Sequence, residues 1–136
     1  MAAMTATSAL RLGALLAGLA VALGAFAAHA MKARFPAEAL LTFETGVRYQ
    51  MYHALALVLC GLLAAAGRRT GAAALAFTAG IVLFSGSLYL LVWLDTKWLG
   101  AVTPFGGVAF LLGWALLAWR ASAPATATLV PAGRAS

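Results

Sequence analysis

Four long runs of apolar residues follow one another along the chain, and short segments between them hold most of the charged residues. The runs cover residues 8–30, 47–66, 72–94 and 99–119. About 20 apolar residues is the length that an α-helix needs to cross a bilayer. The pattern therefore predicts an all-α membrane protein: an antiparallel bundle of four transmembrane helices, forming a single domain over residues 1–120. Residues 121–136 are small and include proline, which predicts a disordered tail.

A short amphipathic segment at the membrane interface is predicted between the first and second spans. Leu40, Leu41, Phe43 and Val47 recur at helical spacing, with polar residues between them. Gly46 would either bend the chain between this segment and the second span or lie within one long tilted helix. The pattern leaves both arrangements open.

The first apolar run also has features of a signal peptide. Arg11 lies just before its uninterrupted apolar part, residues 12–30, and Ala28-His29-Ala30 resembles a cleavage site. Cleavage would leave three spans. However, the run is longer than the roughly 7 to 15 apolar residues of a signal-peptide core, which favours retention of the first span.

Small and hydroxyl-bearing residues within the runs are predicted to mark helix-packing positions. Small side chains let membrane helices approach closely, and hydroxyl groups bond to a neighbouring turn or helix. A proline near the first turn of a helix costs little, so we expect the fourth helix to begin slightly before its proline. The alternative is a discontinuous, ion-binding helix of the transporter type, but such breaks come in matched pairs and no counterpart is found. The predicted packing residues are Gly24, Ser85, Gly86, Ser87, Pro104, Gly106 and Gly107.

Composition supports a membrane protein and argues against nucleic acid as a partner. The chain is 65% hydrophobic and 9% charged, whereas soluble domains have about 25% charged residues. Its net charge of +6 comes from scattered residues rather than from one clustered basic face. Five basic residues fall on the side of the termini and four on the other, which favours cytoplasmic termini. The five are Arg11, Arg68, Arg69, Arg120 and Arg134, and the four are Lys32, Arg34, Arg48 and Lys97.

The start of the second span has the highest density of polar and ionisable residues that could form a functional site. Ionisable groups inside lipid are costly and usually functional, which predicts a polar cluster or ligand site. Glu44 and Arg48 are spaced to pair on one helix face, and His29 could approach His53 from the first span. The alternative is an interfacial anchor in which arginine and tyrosine reach the head groups. The candidate site residues are His29, Glu44, Arg48, Tyr49, Tyr52 and His53.

Known catalytic and metal-binding patterns are not found in the sequence. It has no phosphate-binding glycine loop, nucleophile elbow or zinc protease helix. Two distant histidines match no standard metal spacing, and an interhelical hydrogen bond explains them more simply than a shared haem. We therefore predict no enzymatic activity, no metal and no cofactor.

Four stretches of the sequence resemble those of a known protein family. They are Gly24-Ala25-Phe26-Ala27-Ala28-His29-Ala30, Phe43-Glu44-Thr45-Gly46-Val47-Arg48-Tyr49-Gln50-Met51-Tyr52-His53-Ala54-Leu55, Phe84-Ser85-Gly86-Ser87-Leu88-Tyr89 and Thr103-Pro104-Phe105-Gly106-Gly107. Together they resemble the YgdD-like family of small bacterial inner-membrane proteins, a domain of unknown function with small eukaryotic relatives. The resemblance implies a multi-pass inner-membrane protein with an uncleaved first span, and it supplies no activity.

Two functional hypotheses follow. The first is a non-enzymatic accessory or scaffolding component of a membrane assembly, whose partners are the bilayer and other membrane subunits or further copies of itself. The second is an oligomeric transporter or channel for a small solute or proton, which would use the polar cluster. A quinone- or lipid-handling enzyme that uses the same residues is a third and weaker hypothesis.

Overall fold

The computed structural model describes residues 4–122, and within them it shows four helices that are long and apolar enough to cross a membrane. The first span, Ala6–Met31, is α-helical to Phe26 and ends in a π-helical turn, Ala27–Met31. The second is one α-helix, Ala37–Ala65. The third, Gly71–Leu94, comprises α-helices Gly71–Gly80 and Gly86–Leu94 joined by a π-helical turn, Ile81–Ser85. The fourth comprises a 3₁₀ turn, Lys97–Ala101, and an α-helix, Thr103–Ser122. The prediction of an all-α protein with four spans is confirmed.

The second span begins ten residues earlier than predicted. Its helix runs without interruption from Ala37 to Ala65, so the predicted interfacial segment is the first part of this helix rather than a separate element. Gly46 lies inside the helix and does not end it. A Cβ atom at Gly46 would lie 2.7 Å from Cε1 of Tyr89. The glycine therefore makes room for an aromatic ring of the third span, a requirement that its sequence neighbours do not reveal.

The fourth span begins with the 3₁₀ turn from Lys97, before the predicted residue 99. Pro104 is the second residue of the α-helix Thr103–Ser122, and Gly106 and Gly107 continue that helix. The alternative of a broken, transporter-type helix is therefore wrong. Helix continues to Ser122, two residues into the predicted tail, and residues 123–136 lie outside the described part of the chain.

Consecutive spans contact one another in opposite chain directions. Gln50 of the second span contacts Leu16 of the first, whereas Val47 lies next to Gly24. Between the second and third spans, Phe43 contacts Tyr89 and His53 contacts Phe77. Between the third and fourth, the backbone of Phe84 lies against Gly106, and Phe77 lies against Gly113. In each pair, a higher residue number on one helix matches a lower number on the other.

Two buried clusters hold the spans together. The larger contains Ala9, Leu57, Phe77 and Leu117, one residue from each span. This cluster lies toward the connection at residues 66–70, which we call the Arg68 end. The smaller joins Ala27, Met31, Phe43 and Val92. It lies toward the connections at residues 32–36 and 95–96, which we call the Asp95 end.

Glycine lets the first two spans approach to backbone contact. A Cβ atom at Gly13 would lie 2.7 Å from the carbonyl oxygen of Ala54 and 2.8 Å from the amide nitrogen of Val58. At Gly61 it would lie 2.9 Å from the carbonyl oxygen of Ala6. Backbone atoms cannot move aside as a flexible side chain can. These glycines therefore set the distance between the two helices, as small residues commonly do in membrane bundles.

We expect Gly13→Ala to lower the free energy of unfolding by about 1–3 kcal/mol, the usual cost of overpacking. Gly18 is a control on the same helix, since a Cβ atom there would meet nothing within 4 Å. Gly18→Ala should leave stability unchanged or raise it by up to about 1 kcal/mol, because alanine favours the helix over glycine. Titration of both variants with sodium dodecyl sulfate in mixed micelles measures the difference. Equal stabilities would contradict the close contact at Gly13.

Candidate functional site

An open groove runs along the outer face of the second, third and fourth spans. Its volume is about 710 Å³. We call it the aromatic groove, since six aromatic side chains line it: Tyr49, Tyr52, His53, Phe84, Phe110 and Trp114. Tyr49 stacks on Phe84 with ring centroids 4.5 Å apart. The groove thus offers a membrane-facing surface that is mostly aromatic.

His53 lies beneath this surface and is only 5% exposed. Its ring stacks on Phe110 with centroids 3.4 Å apart and an interplanar angle of 6°. Its Nδ1 atom lies 2.7 Å from the carbonyl oxygen of Tyr49, and its Nε2 atom lies 3.2 Å from Nε1 of Trp114. The stack and the two hydrogen bonds hold the imidazole in one orientation.

These hydrogen bonds assign the tautomer of His53. The indole N–H of Trp114 can only donate, so Nε2 of His53 accepts. The carbonyl of Tyr49 can only accept, so Nδ1 of His53 carries a hydrogen and donates. The imidazole is therefore neutral with both nitrogens engaged. Binding a metal, or taking up a proton, would require His53 to break a hydrogen bond inside an apolar surrounding.

His29 does not approach His53, contrary to the expectation from the sequence. It is exposed in the π-helical turn that ends the first span. The amide of Gln50 contacts the carbonyl of Leu16, which places His53 level with residues near 13–16 of the first span. At about 1.5 Å per residue, the two histidines are at least roughly 20 Å apart along the helices. The antiparallel register of the first two spans thus separates them.

The predicted pair of Glu44 and Arg48 is not formed either. The Arg48 guanidinium donates instead to the hydroxyl of Thr45, at 3.4 Å. Within residues 4–122 these two side chains make no ion pair, although their spacing would permit one. An exposed ion pair gains little free energy, so spacing alone does not impose it. Glu44 and Arg48 therefore form no polar cluster with the histidines.

Tyr49 and Tyr52 do belong to the groove, where they are 40% and 55% exposed. Their rings lie 6.1 Å apart. Neither hydroxyl has a hydrogen-bond partner among the residues that the structure describes. Such a hydroxyl is costly in hydrocarbon, which offers it no acceptor.

A buried polar network that we did not predict joins the first three spans. Gln50, which is 2% exposed, donates from Nε2 to the carbonyl of Leu16 at 2.8 Å. The Tyr89 hydroxyl donates to Oε1 of Gln50 at 2.9 Å. The signal available in the sequence was a lone amide in an apolar span, since such a group usually bonds across helices. Its partners could not be identified before the register of the spans was known.

Only some of the predicted packing residues lie at close helix contacts. Gly106 lies directly against the Phe84 backbone, Gly24 lies against Val47, and Ser87 bonds to the Thr103 hydroxyl at 2.7 Å. By contrast, a Cβ atom at Gly86 would meet nothing within 4 Å, so this glycine is not at a close helix contact.

The other three packing residues lie beside these contacts. Gly107 and Pro104 line the aromatic groove. Ser85 is fully buried, and its hydroxyl has no partner within the described chain. Also within the described chain, no three His, Cys, Asp or Glu side chains group in a way that could hold a metal ion.

Comparison with known proteins now identifies the family. A family described as "Protein of unknown function (DUF423)" matches residues 23–107. The chain belongs to the DUF423 family. It is 50% identical over 110 residues to the UPF0382 membrane protein YwdK of Bacillus subtilis, a match that covers 78% of this chain and 89% of that protein. A UPF0382 membrane protein of Haemophilus influenzae is 41% identical over 100 residues, covering 73% and 81% of the two chains. No solved structure matches the chain.

These relatives confirm a family of small bacterial membrane proteins of unknown function, under the names DUF423 and UPF0382. The family match includes Gln50, His53, Phe84 and Tyr89, and it ends before Phe110 and Trp114. As a member of the DUF423 family with four apolar helices, the chain is an integral membrane protein.

Tyr89→Phe should lower the free energy of unfolding by about 1 kcal/mol, because it leaves the buried Gln50 oxygen without its donor. Tyr52→Phe is the matched control, since it removes a hydroxyl that makes no hydrogen bond within the described residues. We expect it to cause no loss. Detergent-induced unfolding of the two variants provides the comparison, and an equal loss in both would show that the Gln50 hydrogen bond contributes nothing.

Neutralisation of Glu44 and Arg48 tests the missing ion pair. Because the two side chains do not bond, a double-mutant cycle with Glu44→Gln and Arg48→Gln should give a coupling energy within about 0.3 kcal/mol of zero. The two single effects should simply add. A coupling energy clearly in favour of the wild-type pair would instead show that the ion pair forms in the membrane.

Proposed function

We propose that this DUF423 protein is a non-enzymatic accessory or scaffolding component of a membrane assembly, in which the aromatic groove receives an apolar helix of another membrane subunit. The observation that carries the proposal is the pair of tyrosine hydroxyls without partners at the groove. A lipid acyl chain would leave them unsatisfied. A helix could accept their hydrogen bonds with a side-chain hydroxyl, a side-chain amide oxygen, or a backbone carbonyl that is not bonded within the helix.

The shape of the groove supports the same occupant. Gly107 lines it, and a Cβ atom there would meet only the Phe84 ring, at 4.0 Å. A small residue on a membrane-facing surface lets a second helix come close, which increases the area of van der Waals contact. Aromatic rings on both sides would supply much of that contact area.

The alternative of a transporter or channel has less support from the geometry. It depended on His29, Glu44, Arg48, Tyr52 and His53 acting as one cluster, but His29 lies far from His53 and Arg48 bonds to Thr45. His53 has both ring nitrogens engaged. A proton pathway would need a titratable group with a free nitrogen or oxygen, which His53 does not supply.

We also propose that the protein resides in the bacterial inner membrane with its termini in the cytoplasm. The support is the count of basic residues on the two sides, five against four. The YgdD-like resemblance points to the same membrane.

The test fills the groove without disturbing the bundle. Gly107→Leu should prevent a partner helix from docking, because the new side chain would project into open space within the groove. Gly18→Leu is the matched control: a glycine in the first span that also has open space beside it. Each variant would be expressed at natural level, extracted gently from its own membrane, and weighed intact by native mass spectrometry.

We expect the wild-type protein and Gly18→Leu to retain a foreign membrane subunit, and Gly107→Leu to lose it by at least about tenfold, as expected when a well-packed contact is blocked. A complex that survives Gly107→Leu unchanged would contradict the groove as the docking site. A wild-type mass that contains only copies of this chain would contradict the accessory role and favour self-association.

A further inference from the structure

A second cavity lies at the Arg68 end of the bundle. Its volume is about 240 Å³. Arg68 and Arg69 line it from the connection between the second and third spans, and Arg120 lines it from the end of the fourth. Arg120 is half-buried and Arg69 is exposed. We call this cavity the arginine pocket.

The acidic residues of the chain lie toward the other end. The sequence has three Asp or Glu residues in all. Glu38 and Asp95 line a cavity at the Asp95 end, and Glu44 follows Phe43, which packs in the cluster at that end. No carboxylate side chain is therefore available to balance Arg69 and Arg120 at the Arg68 end. Partial burial of a cation is costly without a counter-charge, so an anion from outside the chain would stabilise this end.

The third span also begins at the arginine pocket, and its first turn has no side-chain cap. Thr70 occupies the capping position, but its hydroxyl donates to the carbonyl of Cys60 at 2.7 Å instead. Gly71 and Ala72, the first residues of the helix, line the pocket. Uncapped N–H groups at a helix start favour bound anions, phosphate in particular. The helix start thus adds donors to the charge of the arginines.

We propose that the arginine pocket binds a phosphate group, presented by the head group of an anionic phospholipid. The pocket lies where the second and fourth spans end, which is the depth of lipid head groups. Trp119, next to Arg120, is 79% exposed, as is typical of aromatic residues at a membrane interface. A soluble phosphate compound has the same binding chemistry, and the experiment distinguishes the two sources. This inference does not depend on the proposed function of the aromatic groove.

The experiment measures lipid binding to the purified full-length protein in detergent by native mass spectrometry. The probes are dioleoylphosphatidylglycerol, dioleoylphosphatidylcholine as the zwitterionic comparison, and inorganic phosphate as a competitor. The variant is Arg69→Gln combined with Arg120→Gln. We expect its affinity for phosphatidylglycerol to fall about 30-fold, which corresponds to about 1 kcal/mol for each arginine. Phosphatidylcholine should bind more weakly and be little affected.

The matched control is Lys32→Gln combined with Arg34→Gln, which removes two charges at the Asp95 end and should change the affinity less than about twofold, since those residues lie outside the pocket. An equal loss in both double variants would show only a general attraction between charges. No loss in either would show that Arg69 and Arg120 do not bind the lipid. Each outcome would overturn the proposal.

Inorganic phosphate separates the two sources. Arginine-dependent binding of phosphate without binding of phosphatidylglycerol would support the site and assign it to a soluble ligand. If the double variant is unstable, the exposed Arg69→Gln alone should still give an about fivefold loss.

Discussion

The structure depends on backbone-to-backbone contact between neighbouring spans at glycine. In hydrocarbon, burial of apolar side chains does not favour the packed state as it does in water, so helices associate through van der Waals contact and interhelical hydrogen bonds. Gly13, Gly61 and Gly106 lie where a Cβ atom would collide with the backbone of the facing helix. Between the first two spans, the Gln50 side chain reaches the Leu16 carbonyl. The polar network thus lies between helices that the glycines allow to approach closely.

The same packing decides which polar groups are satisfied and which are not. Gln50 and His53 are buried and Tyr89 is half-buried, and all three have hydrogen bonds within the protein. Tyr49 and Tyr52, which are sequence neighbours of Gln50 and His53 on the second span, face outward, and their hydroxyls have no hydrogen-bond partner among residues 4–122. A membrane helix can tolerate polar side chains on both faces only if each face has a partner. This asymmetry on the second span is the reason that the proposed docking surface lies on its outer side.

The two ends of the bundle differ in charge, although their counts of basic residues are similar. At the Asp95 end, Glu38, Glu44 and Asp95 accompany the lysines and arginines. At the Arg68 end, three arginines line one pocket, and no Asp or Glu is among the described residues that line it. This difference in charge does not influence the fold, since the helices at both ends are joined by connections of ordinary length. It affects which molecules each end can bind at the membrane surface.

The sequence by itself determined the number of spans, their helical class and, for three of the four, their bounds to within about three residues. Helical periodicity and apolar length are local properties, which is why residues 8–30, 72–94 and 99–119 could be assigned from the pattern alone. The sequence pattern also located the polar stretch around Tyr49, Tyr52 and His53. It could not identify the hydrogen-bond partners of these residues, because a hydrogen bond between spans depends on the register of the two helices. Only the tertiary structure separated His29 from His53, placed Trp114 against the imidazole and brought Tyr89 to Gln50, since each of these depends on the register between spans far apart in the chain.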